Sequence, residues 1–169
     1  MKSRLVVVLI FLVAVVMGGY GWWYNFQQGR RSLRLWGSDA AVLIRYAPQV
    51  VLLQLELARP DERASERLDI DSQRFAIVRQ FEISKVPGLV HARHALIEDA
   101  SFVWSARQRA CQPNWQFALR FLRGPQRATL AFDTNCDQVR LIEHNRTARL
   151  LDEPMRAFDR KRQVWAAMQ

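Results

Sequence analysis

Three histidines, three lysines (Lys2, Lys85 and Lys161) and two cysteines are the whole stock of several chemistry-bearing side chains in this 169-residue sequence. The GxSxG, HExxH, P-loop and GxGxxG patterns are all missing, so none of those hydrolytic, metal-peptidase or nucleotide chemistries is signalled. A CxxC is missing too, and no basic group is fixed beside either sulfur, which argues against a redox centre. No lipobox cysteine is present, which excludes a lipoprotein. Acids are scarce, 16 against 25 Lys and Arg, and none lies between Asp99 and Asp133. The one acid-rich stretch holds Asp61, Glu62, Glu66, Asp69 and Asp71, but with no calcium-loop spacing and with arginines interspersed.

What is present is apolar and basic. Half the residues are hydrophobic, which excludes a disordered chain. Lysine accounts for three of the 25 cations, so 22 are arginine and the net charge of +9 is an arginine charge. Arginine favours bidentate contacts with carboxylates and phosphates and stacks on aromatic rings. Codon bias in a GC-rich genome would inflate arginine equally well without any binding role.

The longest uncharged stretch is Leu5 to Tyr24, apolar at every position as far as Met17. Twenty helical residues at about 1.5 Å each match a hydrocarbon core of about 30 Å. The expectation is a retained single transmembrane helix over 5–24, after a short tail at 1–4. Tyr20, Trp22, Trp23 and Tyr24 would form its interfacial belt. Arg30, Arg31 and Arg34, in a juxtamembrane linker at 25–37, would meet anionic headgroups. Residues 38–169 would then be one α+β domain: an antiparallel sheet with two or three packed helices.

Within that domain Ser38 is read as an N-cap and Asp39 to about Tyr46 as a short helix ending before Pro48. Residues 50–57 alternate as a half-buried strand, and 59–73 read as an exposed loop. Residues 74–83 alternate again, with Phe75, Ile77, Phe81 and Ile83 on one face. A helix from about Ser84 to Asp99 carries Leu89, Ala92, Leu96 and Ile97 on its apolar stripe. His91, His94 and Glu98 fall on the opposite face and could in principle ligate zinc. They read instead as a solvated face with a His94/Glu98 pair, so no metal site or cofactor is expected.

Residues 111–144 hold the most informative pattern. Pairing Leu122 with Arg127 places Phe121 opposite Ala128, Leu119 opposite Leu130 and Phe117 opposite Phe132 across an Arg123-Gly124-Pro125-Gln126 turn. Proline would take the first central position of that turn. The same register brings Cys111 diagonally near Cys136, and a bridge there would contribute about 3–4 kcal/mol in the chain-entropy model. A pair of buried reduced thiols is the alternative. Residues 138–143 supply another strand. A last helix opening at Pro154 carries Met155, Phe158, Trp165 and Met168 at helical spacing.

The motifs CQPNWQFALRF and TLAFDTNCDQV, within Leu96 to Leu141, resemble a group of small exported bacterial proteins of unknown function. The shared pattern is a cysteine, a proline two residues on, an LRF-like strand and a second cysteine before DQ-V. It covers about a quarter to a third of the chain, implies an exported α+β domain and transfers no catalytic residue. The expected location is the bacterial inner membrane, with the tail at 1–4 in the cytoplasm and the carboxy-terminal domain in the periplasm, an orientation that the cysteine pair favours.

Arg107, Arg109, Arg120, Arg123 and Arg127 occupy the acid-free stretch and are the candidate partner contacts. An acidic protein surface or anionic headgroups would suit them. Nucleic acid is disfavoured, because the domain would have to be cytoplasmic or serve DNA uptake. The functional expectation is a non-enzymatic accessory subunit of a larger integral membrane complex, in contact with membrane lipid and other subunits. The alternative is an envelope-anchored ligand-binding or sensor module, and an enzyme comes third.

Overall fold

The computed structural model describes residues 2–27, 30–58, 66–104 and 111–167; in α1 (Lys2–Gln27) side chains are described at Val6 and at 9–24. Beyond α1 the described residues form an α+β fold around a seven-stranded antiparallel sheet ordered β2-β3-β1-β4-β5-β6-β7. The strands are β1 (Gln49–Leu57), β2 (Arg67–Ile70), β3 (Gln73–Glu82), β4 (Phe117–Arg123), β5 (Gln126–Asp133), β6 (Gln138–Leu141) and β7 (Arg146–Arg149). The helices after α1 are α2 (Arg30–Trp36), α3 (Ser38–Tyr46), α4 (Leu89–Ile97) and α5 (Asp152–Ala167), with a 3-10 turn at Asp99–Ser101.

Among the described residues no helix is long and apolar enough to cross a membrane. This corrects the transmembrane helix expected over 5–24. The strictly apolar positions of α1 end at Met17, where glycines and large aromatics take over. From Leu5 that leaves about 20 Å of strictly apolar helix, against a hydrocarbon core of about 30 Å. Its apolar side chains are nonetheless 48% to 72% exposed from Leu9 through Met17, on all sides of the helix. The stretch expected as a linker at 25–37 also differs. Residues 30–36 are α2, and Trp36 is fully buried in the main core.

The sheet separates two apolar clusters. On the helical side, Val50, Leu52, Phe117, Leu119, Phe121, Leu130 and Phe132 pack against α2, α3, α4 and α5. Phe132 lies 4.8 Å from Phe117 in a stacked pair and 5.1 Å from Phe158 of α5. The other side buries Leu53, Leu55, Ile70, Phe75, Ile77 and Trp115. Val50 and Leu52 of β1 enter the first cluster and Leu53 and Leu55 the second, so both of its faces are covered and the half-buried reading is corrected accordingly. Leu57 alone of its leucines is exposed.

A β-bulge explains a second difference. Gln54 pairs with Arg79 but Leu55 pairs with Ile77, which leaves Val78 unopposed. One extra residue reverses the alternation. Phe75 and Ile77 therefore join the cluster away from the helices, while Phe81 and Ile83 join the helical one. The stretch read as a loop at 59–73 contains β2. A two-residue turn, Asp71 and Ser72, both with positive φ, returns it to β3 in the primed geometry that hairpins favour. Gly37, not Ser38, precedes α3, and no side chain caps that helix. Helix α4 starts at Leu89, after a left-handed Gly88, and so is shorter than the 84–99 expected.

The β4–β5 hairpin takes the expected register at every pair. Its turn differs, since Gly124 has φ +56° and precedes Pro125, so glycine takes the first central position. That is the arrangement of a type II′ turn, in which only the first central residue has positive φ. Met155, Phe158 and Trp165 of α5 are buried as the helical spacing required, and Met168 lies outside the described residues.

Candidate functional site

The five candidate arginines do not form one surface. Arg107 and Arg109 lie outside the described residues. Arg120 points to the sheet face opposite the helices, where its side chain is 12% exposed and its Nη1 meets Glu66 Oε1 at 2.8 Å. Glu66 also accepts from Gln80 Nε2 at 3.1 Å. Arg120 is therefore a structural ion-pair partner, which corrects its assignment as a docking cation. Arg123 and Arg127 are exposed at the hairpin end and remain available.

A second pair explains why the sheet curls. Arg140 of β6 meets Asp71 of the β2–β3 turn at 2.6 Å, although β3, β1, β4 and β5 lie between their strands in the sheet. The β2 end must fold over the face for this pair to form, and buried Ile70 goes with it. Arg140 also donates to Asn145, at the β6–β7 turn. The signal for this flap was present in the Leu68, Ile70 alternation before Asp71-Ser72, but the surrounding charge obscured it.

The membrane-interface candidates also separate. Tyr20, Trp22, Trp23 and Tyr24 are exposed on α1, with the Tyr20 ring 6.1 Å from Trp23 and 6.4 Å from Tyr24. Arg31 instead lies over the Trp104 ring at 6.0 Å. Its amide and that of Ser32 donate to the Asp99 carboxylate at 3.1 and 2.7 Å. Trp36 Nε1 donates to the Leu96 carbonyl at 2.7 Å, and Ser32 Oγ to that of Ile97 at 2.5 Å. Arg146 donates to the carbonyls of Arg34 and Leu35, at the far end of α2. These contacts satisfy both ends of a short helix that its own backbone leaves open.

Helices α2, α3 and α4 border an open groove of about 500 Å³. Leu33, Val42 and Tyr46, 49%, 44% and 61% exposed, supply apolar walls, with Arg45, His94 and Glu98 at the rim. The Arg45 guanidinium lies 5.3 Å from the Tyr46 ring. Arg93 closes the carboxyl end of α3 by donating to the Arg45 and Ala47 carbonyls at 3.1 and 2.8 Å. Burial holds its guanidinium below the usual arginine value. A second, more polar groove lies beside the start of α5, lined by Asp137, Asp152, Arg156, Asp159 and Arg160 among others.

His94 Nδ1 and Glu98 Oε1 stand 4.0 Å apart on α4, the exposed i,i+4 pair that the spacing suggested. Among the described residues no group of three or more His, Cys, Asp or Glu could hold a metal ion.

Cys111 and Cys136 form a disulfide with their Cα atoms 6.0 Å apart. The buried Asp133 carboxylate organises the corner. It accepts from the amide of Asn114 at 3.2 Å and that of Asn135 at 2.9 Å. These bonds continue the hairpin beyond its ladder and bring the diagonal cysteines within reach.

No protein-family model, curated protein or solved structure matches the chain.

Proposed function

We propose that this chain is a non-enzymatic accessory subunit of a larger bacterial membrane protein complex, with α1 as its attachment element. The observation that carries this reading is the contrast between α1 and everything after it. Nine consecutive positions of α1, Leu9 to Met17, present apolar side chains, and those of large size stay about half exposed or more. An apolar surface of that extent marks an interaction site. Membrane lipid or apolar surfaces of other subunits would cover it, and the proposal does not need the helix to cross the bilayer.

The disulfide supports placing the sheet domain in an oxidising compartment, the periplasm. It also occupies both sulfurs, so a Cys–His nucleophile would have to break it first. Exposed Arg123 and Arg127 supply contacts for an acidic partner surface or anionic headgroups. Co-fractionation tests the reading. The full chain should sediment with membranes and, after mild detergent extraction, co-migrate with other subunits, whereas a chain lacking Met1–Gln27 should do neither. A full chain that stays in the supernatant as a monomer defeats the proposal. The groove between α2, α3 and α4 favours one second reading, a ligand-binding module. Native mass measurement of the purified protein would then show a retained small molecule.

A further inference from the structure

We propose that the groove bordered by α2, α3 and α4 is a second, weaker docking surface for an anionic lipid bilayer, which lays the sheet domain on the headgroups beside α1. This rests on the reading of α1 as an attachment element and adds how the rest of the chain lies. The first observation is position. Only two residues separate Gln27, the end of α1, from Arg30, the start of α2, so these ends are at most about 11 Å apart. The groove opens at that point, because Asp99, which lines it, accepts from the amides of Arg31 and Ser32 in the first turn of α2. Whatever surface takes the end of α1 therefore has the groove within reach.

The second observation is how apolar groups and cations are arranged along it. Leu33 of α2 and Val42 and Tyr46 of α3 stay about half exposed, and a spacing of four puts Val42 and Tyr46 on one helix face. Arg45 lies over the Tyr46 ring. Shortly after Tyr46 the chain enters β1, where Gln49 pairs with Leu122, and Phe121 faces the helical core. Alternation turns exposed Arg123 to that same side, at the level of Pro48. The surface thus runs from an apolar stripe beside the end of α1 to a tyrosine flanked by Arg45 and Arg123. Of the acids near it, Asp99 is held by the α2 amides, Glu98 faces His94 and Asp39 accepts from Ser38. Apolar and aromatic side chains at the acyl boundary, with arginines reaching phosphates, make an interfacial lipid contact. So small a stripe does not hold the domain to a bilayer by itself, and it acts only once α1 has raised its local concentration there.

Hydroxyl-radical footprinting of the full chain tests the docking. The chain is held in nanodiscs of phosphatidylcholine alone or of a two-to-one mixture with phosphatidylglycerol, and side-chain modification is read by mass spectrometry. On the anionic nanodiscs, modification of Leu33, Val42 and Tyr46 should fall at least threefold below its level on the neutral ones. Exposed Leu57 and Val78, elsewhere on the sheet, should be modified equally on both. Arg45→Gln with Arg123→Gln should remove the difference at the groove while the chain stays bound, and unchanged Leu57 and Val78 would show that the fold is kept. Equal modification of the groove on both lipids, with the wild-type chain bound, overturns the proposal and leaves the attachment reading standing. Protection of the double variant equal to that of wild type also overturns it. So does protection found in native membranes but in neither nanodisc, which would make the occupant a protein. A chain that stays in no nanodisc overturns the attachment reading and the docking surface together.

Discussion

The two faces of the sheet are closed by different means. The helical face is closed by packing, with Phe132 between Phe117 and Phe158 and with Leu119, Leu130 and Leu141 fully buried. The opposite face is closed by a flap of its own sheet, pinned by Arg120–Glu66 and Arg140–Asp71 over a smaller apolar cluster. Apolar packing responds to lost volume, whereas partly exposed ion pairs respond to lost charge and contribute much less. Arginine therefore has at least two roles in this chain, and its abundance does not translate directly into a binding surface.

Three measurements sharpen or break that contrast. The largest effect is expected from Phe132→Ala, which empties the centre of the helical-side core and should cost about 3–5 kcal/mol in a denaturant titration. A smaller effect is expected from Arg120→Gln. Glu66 is partly exposed and keeps its bond from Gln80, so about 1–2 kcal/mol should be lost. A loss at Arg120 as large as that at Phe132 would erase the distinction between the faces. The smallest effect belongs to Arg123→Gln with Arg127→Gln, where stability should change by no more than about 0.5 kcal/mol. Association with membranes or partners should nevertheless weaken, and more at low salt than at high, because exposed charges are screened beyond about 8–10 Å. Equal association at both salt concentrations would leave the hairpin end as ordinary solvated surface.

Local patterning made the β4–β5 hairpin legible, because the apolar face of each strand fixes the other's register. The cysteines followed from that register, and α5 from its helical spacing. Two of the misses share a cause, which is that long-range contacts decided the outcome. Nothing near Arg120 in sequence announces Glu66, 54 positions earlier, so its charge read as solvent-facing. Residues 30–36 looked like a linker because their partners Asp99 and Arg146 lie far along the chain. The bulge at Val78 was hidden because an uninterrupted strand and a bulged one show the same residue types. As for α1, composition alone overstated the apolar length, since glycine and aromatic residues fill its last third. The groove carried no sequence signal, being assembled from three helices.

The position of β1 has a consequence for how the chain comes into being. Residue 49 pairs with residue 122, while β4, β5, β6 and β7 follow one another as simple hairpins. Synthesis therefore delivers β1 well before β4, and β3 can cover only one of its edges in the interval. A strand reading VVLLQLEL, with an open edge and two apolar faces, is a template for intermolecular pairing. The β4–β7 meander can close through short turns, but the β1–β4 seam must wait for a long loop to close. Protection against hydrogen exchange should therefore reach the amides of β5 and β6 before those of Val50–Leu53. The vulnerable interval of this protein is its own biogenesis, and the seam between its two halves is what ends it.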